Sequence, residues 1–210
     1  VEAVHESGRK IEIAASLPPQ NGSFRPDLVL DRRIIEPLYR RQAEFLQPYV
    51  DLFLCETMSS IAEAVAAAAG VTGLGKPVYI GLTLHDEKPA TLRSGEPLKS
   101  ALEALASFDV TGVLANCSLP ERISDAIPVL AAADIDFIGG YANAFTRVPQ
   151  DWLLGGEKES DGLLVLRDDL SPKFYSEFAI DWIAKGANIV GGCCGTTAEH
   201  ILAISQKLRA

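Results

Sequence analysis

Val78-Tyr79-Ile80-Gly81-Leu82 is apolar along almost its whole length. A strand with one wet face alternates apolar and polar residues. A run without that alternation suits a strand buried on both faces, as in a parallel sheet covered by helices on its outer side. Similar runs recur, and strands are expected near 11–17, 50–55, 77–84, 111–117, 135–140 and 187–192, each followed by a helical pattern. Capping signals stand where the helices should open: Ser60-Ile61-Ala62-Glu63, Ser118-Leu119-Pro120-Glu121, Ser171-Pro172, and Thr196 to Glu199 with Thr196 as N-cap and Glu199 at N3. The repeated unit is therefore strand then helix. No interdomain linker interrupts it, so residues 1–210 read as one domain. Pro149 to Asp169, rich in Gly, Glu and Asp, reads as one long loop near the strand ends.

A closed parallel barrel needs eight such units and typically ~250 residues, and this chain supplies six in 210. Val1 to Lys10 reads as the tail of an earlier helix leading into Ile11-Glu12-Ile13. The expected fold is α/β, a (β/α)8 TIM barrel lacking its first two βα units; an open doubly wound sheet is the alternative.

Composition narrows the partners. With 48% hydrophobic and 22% charged residues, the chain can bury a substantial core. A net charge of -9, with no run of lysine or arginine, argues against a nucleic-acid surface and leaves small neutral or zwitterionic molecules as easier partners. No signal peptide is seen, and no apolar run reaches the ~18 residues that span a bilayer. The alanine-rich stretch Ile61 to Val71 is too short and contains Glu63. No membrane contact and a cytoplasmic location are expected. Four cysteines (Cys55, Cys117, Cys193, Cys194) in a chain without export signals point to metal binding or catalysis rather than disulfides.

Three of those cysteines sit at expected strand ends. Val113-Leu114-Ala115-Asn116-Cys117-Ser118 closes one strand, and Gly191-Gly192-Cys193-Cys194-Gly195-Thr196-Thr197 follows another. Neighbouring side chains of a regular strand point to opposite faces, so Cys193 and Cys194 can serve one ion only where the strand has broken. The surrounding glycines permit that break. A helix N-terminus beside them would favour thiolate over thiol. Two buried small hydrophobes, or an adjacent disulfide, is the alternative for the pair. Cys55, opposite Glu56 in its strand, is expected to pack. Glu56 could be a solvated strand-end acid, and Asn116 and Asn143 loop-capping amides. His5, His85 and His200 form no ligand spacing, and His200 reads as ordinary surface or as a neighbour of the ligands.

Gly191 to Ile201 together with Asn116-Cys117 resembles the homocysteine S-methyltransferase family. Ala15-Ser16-Leu17, Glu56-Thr57 and Tyr141-Ala142-Asn143-Ala144 resemble its Gly-Ser-Leu, Glu-Thr and Tyr-Pro-Asn-Ala segments. Ala15, Pro18, Ala115, Ala142 and Ala198 stand where the family usually has Gly or Pro, and its first-strand Asp-Gly-Gly and second-strand Thr-Asn-Thr segments are absent. The resemblance implies a (β/α)8 barrel with Cys117, Cys193 and Cys194 holding Zn2+ at its C-terminal mouth. It also implies a substrate-binding set of Glu56, on the ammonium of homocysteine, Asn143, near the zinc, and Asn116. The implied reaction is methyl transfer from a small-molecule donor to the thiol of homocysteine, forming methionine. Betaine, S-methylmethionine, S-adenosylmethionine and a methylfolate are not distinguished, and an oligomer is compatible with all of this. A thiol redox protein using Cys193 and Cys194, and a non-catalytic zinc-stabilised barrel fragment, are the alternative functions.

Overall fold

The computed structural model describes residues 2–159 and 161–209. A short helix, α1 (Glu2–Ser7), precedes six repeats. These run β1 (Ala14–Leu17), α2 (Arg32–Leu46), β2 (Leu52–Met58), α3 (Ile61–Val71), β3 (Val78–Leu82), α4 (Leu98–Leu105), β4 (Gly112–Asn116), α5 (Pro120–Ala131), β5 (Phe137–Ala142), α6 (Pro172–Ala184), β6 (Ile189–Gly192) and α7 (Ala198–Lys207). All six expected strands form, within a few residues of their expected limits. They make one sheet in the order β1-β2-β3-β4-β5-β6, every neighbouring pair parallel. Consecutive order leaves no topological switch point, which removes the doubly wound alternative.

The sheet is curled. Tyr141 on β5 reaches Glu56 on β2, its hydroxyl lying 3.2 Å from Oε2. Three strand spacings separate β2 from β5, about 14 Å across a flat sheet, which no tyrosine side chain could span. The inner face carries Ser16, Leu54, Glu56, Leu114, Asn116 and Tyr141, in the positions that the strand pairings set side by side. The outer face carries Leu17, Phe53, Ile80, Val113 and Ile138, all buried with the helices in one apolar core. Trp182 of α6 is fully buried there, and its indole N–H meets Ser124 Oγ at 2.8 Å.

Two capping expectations shift. Ser171 caps α6 as expected, accepting from the Phe174 amide, and Ser60 caps α3 through the Glu63 amide. Ser118 does not cap α5: the N-cap is Leu119, and the Ser118 hydroxyl instead accepts from the Leu84 amide and donates to the Asn116 carbonyl. Helix α7 starts one residue later than expected, with Thr197 as N-cap and His200, not Glu199, at N3. The Thr197 amide donates to His200 Nδ1 at 3.1 Å, and the imidazole is buried against Tyr175. His200 is thus a cap inside the fold, not surface. An imidazole nitrogen supplies the acceptor that Glu or Gln supplies in the usual capping box.

Residues 143–171 make the long expected connection, carrying one isolated bridge, Phe145 to Leu166, and no helix or strand among the described residues. They fold over the C-terminal ends of the strands. Arg93, from the loop after β3, binds Asp86 Oδ2 at 2.8 Å and donates to the carbonyls of Val148 and Pro149. Arg25, from the loop after β1, donates to the Asp151 carbonyl at 3.1 Å. Both guanidinium groups tie the loop down over the barrel mouth.

Candidate metal centre and substrate pocket

Cys117 follows directly on β4, and Cys193 and Cys194 follow directly on β6. The Sγ atoms of Cys117 and Cys194 are 3.6 Å apart, those of Cys193 and Cys194 are 3.9 Å apart, and all three lie within 4.8 Å of one another. Ligands at the ~2.3 Å of a zinc–thiolate bond in a tetrahedral site sit about 3.8 Å from each other. The cluster therefore has the spacing of three ligands of one ion. No other such group of three occurs among the described residues. Cys55, by contrast, is fully buried in the outer core, where burial pushes its thiol pKa up and keeps it neutral.

The backbone explains how adjacent cysteines converge. Cys193 keeps the strand ladder, its amide donating to Ala142 O at 2.9 Å. The chain then turns back, the Thr196 amide and hydroxyl both meeting Cys193 O and the Ala144 amide donating to Cys194 O. Gly195 holds that turn at φ +77, and a Cβ there would fall 2.5 Å from Leu166 and 3.0 Å from Ala144. Cys117 is also left-handed, at φ +44. Its carbonyl is gripped by Asn143 Nδ2 at 2.8 Å and Thr83 Oγ1 at 3.3 Å, while its amide donates to Tyr141 O.

Electrostatically the cluster favours one thiolate and resists more. Hydrogen bonds from Cys117 and then Cys193 lower the Cys194 pKa well below an ordinary thiol. Hydrogen bonding to Cys193 first and then to Cys194, together with burial, raises that of Cys117. A cation between the sulfurs would remove this opposition.

Glu56 lies on the inner face beside this cluster. Ser16 Oγ donates to its Oε1 at 2.5 Å and Tyr141 OH to its Oε2 at 3.2 Å. Burial first, and then the charge of Glu56, raises the Tyr141 pKa, so the phenol stays a donor. Glu56, Thr57 and the three cysteines share a cavity of about 630 Å3. Phe24, Phe145, Trp152, Leu163, Leu164 and Leu166 wall it, drawn from the β1 loop and the long loop. Phe24 and Trp152 meet edge to face at 5.8 Å and, with Val148, pack against Cys117. A larger cavity, about 820 Å3, lies between α4 and α5 at the opposite strand ends, away from every cysteine of the cluster.

The structure thus brings Glu56 and the three thiols to one cavity. The two asparagines stand close by with their side chains engaged. Asn143 is buried, binding Cys117 O through Nδ2 and accepting from the Phe145 amide. Asn116 is fully buried, and both ends of its amide meet Thr57. Sequence reasoning missed Tyr141 as the partner of Glu56, and it missed Phe24 and Trp152 as walls. The one hydroxyl in the apolar run Phe137 to Ala142 was the available signal for Tyr141; nothing local marked Phe24.

The fold and site together define a parallel βα half-barrel with a three-thiol centre at its C-terminal mouth. The family model for homocysteine S-methyltransferase matches residues 1–208, and the chain belongs to that family. It is 25% identical over 190 residues to the homocysteine S-methyltransferase of Escherichia coli (strain K12), covering 88% of this chain and 56% of that protein. Crystal structures of the homocysteine methyltransferase MmuM from Escherichia coli superpose on it. The apo form gives a TM-score of 0.71 over 98% of this chain and 65% of that one, and the metallated form 0.73 over 98% and 64%, each at 22% identity. At that identity the likeness speaks for the fold. The chain spans little more than half the length of the curated relative and about two thirds of the solved chains.

Proposed function

We propose that the protein containing this chain transfers a methyl group from a small-molecule donor to the thiol of homocysteine, using Zn2+ held by Cys117, Cys193 and Cys194. The observation that carries this reading is the convergence of three thiols from two strand ends to within 4.8 Å, beside a carboxylate in the same cavity. Zinc bound there would supply positive charge that favours thiolate over thiol and would draw in the substrate sulfur. Glu56, kept in place by Ser16 and Tyr141, would take the substrate ammonium. The walls of Phe24, Phe145 and Trp152 would exclude water from the reacting sulfur. In the transfer the substrate thiol releases its proton to solvent, its sulfur forms a bond to the methyl carbon, and the donor–methyl bond breaks with its electron pair leaving on the demethylated donor.

We also propose that the six repeats are one domain, part of an eight-stranded barrel closed by two further βα units between β6 and β1. Neither β1 nor β6 has a second partner strand among the described residues. Phe45 and Tyr49 at one end, and Ile201 and Leu202 at the other, expose apolar surface that further helices would cover. Elemental analysis of the purified protein, with donor screening against homocysteine, tests the functional reading. About one zinc per chain, lost together with methyl transfer when the three cysteines are alkylated, is expected. Full methyl transfer by metal-free protein would refute it.

A further inference from the structure

We propose that Asn116 is a positioning residue that presents Glu56 to the substrate by clamping the backbone of Thr57 across β3. The inference rests on the reading of Glu56 as the ammonium-binding group. Strand β2 is irregular at this place: Cys55 pairs with Ile80 and Met58 with Leu82, so Glu56 and Thr57 together stand opposite the single residue Gly81. This is a β-bulge. Thr57 takes φ +66, a conformation that β-branched residues strongly avoid. Asn116 supports it from β4, two strands away. Its Oδ1 accepts from the Thr57 amide at 3.0 Å, and its Nδ2 donates to Thr57 Oγ1 at 3.0 Å. The bulge lets Glu56 and Thr57 line the same cavity, which a regular strand forbids to neighbours.

Gly81 makes the bridge possible. A Cβ at that position would sit 2.8 Å from Asn116 Oδ1 and 2.8 Å from Tyr141 OH, so any larger residue on β3 would intrude on both connections. Ser16, Glu56, Gly81, Asn116 and Tyr141 thus form one lateral seam over five strands. Asn116 is fully buried and both its amide groups are engaged with Thr57, so it acts on substrate through the backbone beside Glu56 and not by contact.

The test uses the full-length enzyme with zinc bound and has two arms. In the first, Asn116→Ala and, separately, Gly81→Ala should raise KM for homocysteine about tenfold, the worth of roughly 1.4 kcal/mol, with kcat and zinc content little changed. Glycine adopts positive φ without support, so adding Thr57→Gly to Asn116→Ala should bring the raised KM most of the way back to the wild-type value. A merely structural defect would not be repaired by removing a second side chain. A double variant as poor as Asn116→Ala, or single variants with wild-type KM, would overturn the proposal. In the second arm, exchange of the Thr57 amide hydrogen is followed without substrate. It should accelerate about tenfold or more in Asn116→Ala, as expected for a lost buried bond. Unchanged exchange would overturn the clamp. If the wild type shows no turnover of homocysteine, the functional reading fails, and the exchange arm still judges the clamp.

Discussion

Replacing Glu56 with Gln separates charge from shape at the pocket. Each carboxylate oxygen accepts one neutral donor, Ser16 Oγ at 2.5 Å and Tyr141 OH at 3.2 Å, leaving acceptor capacity toward the cavity. Glutamine can keep its Oε1 on Ser16 and turn its Nε2 to a Tyr141 hydroxyl that rotates to accept, so the fold should lose less than about 1 kcal/mol. On the proposed function, what disappears is a charge-assisted bond to the substrate ammonium, worth roughly 1.5 to 3 kcal/mol. At 1.4 kcal/mol per tenfold, that predicts a rise in KM for homocysteine of about 10- to 150-fold. Three carbons separate the ammonium of homocysteine from its sulfur, so on this reading the contact is the same in ground and transition states, and kcat should move little. The assay is steady-state methyl transfer at saturating donor, beside zinc content and a thermal melt of the variant. A wild-type KM with full zinc would return Glu56 to a solvated strand-end acid. A fall in kcat at constant KM would place its charge at the chemistry and refute the ammonium assignment.

Other expectations follow from the same geometry. Cys117→Ala removes one of the three proposed ligands and should weaken zinc binding by more than the roughly 10- to 100-fold typical of losing a mere supporting contact; stoichiometric zinc surviving dialysis against chelator would refute the three-thiol centre. Glu63 is buried, accepting from the Ser59 amide and hydroxyl, and burial raises its pKa above 4.5. The folded state therefore favours the protonated form, and its contribution is greatest below pH 4.5 and is lost as pH rises through the elevated value, by at most about 1.4 kcal/mol per pH unit. Glu63→Gln should lose less stability than wild type between pH 4.5 and 8 in denaturant titrations, and an equal loss in both would refute an ionising Glu63. Residues 1–210 alone, with Phe45, Tyr49, Ile201 and Leu202 uncovered, should self-associate or unfold without cooperativity; a monodisperse, cooperatively unfolding monomer in sedimentation and melting would show that six repeats suffice.

The repeats were legible because each rests on local chemistry. An unbroken apolar run such as Val78 to Leu82 suits only a strand covered on both faces, and Ser60 and Ser171 mark helix starts through bonds to amides three residues on. Where two donors or acceptors competed over one or two residues, local reading slipped: Thr197 won over Thr196, and His200 supplied the acceptor expected of Glu199. The cysteines at the ends of β4 and β6 were visible as candidates because glycine and thiol in that order are poor material for a strand interior.

By itself the sequence determined which strands form, their parallel sense and which residues stand at their C-terminal ends, since periodicity and end signals act within a few residues. Tertiary structure alone decided what those residues meet. Curling the sheet brought Tyr141 of β5 onto Glu56 of β2, the absence of a side chain at Gly81 let Asn116 reach Thr57, and the long loop set Trp152 over Cys117. Periodicity encodes the face on which a side chain lies. The distance between strands that are not neighbours depends on the curvature of the whole sheet, which no single segment carries.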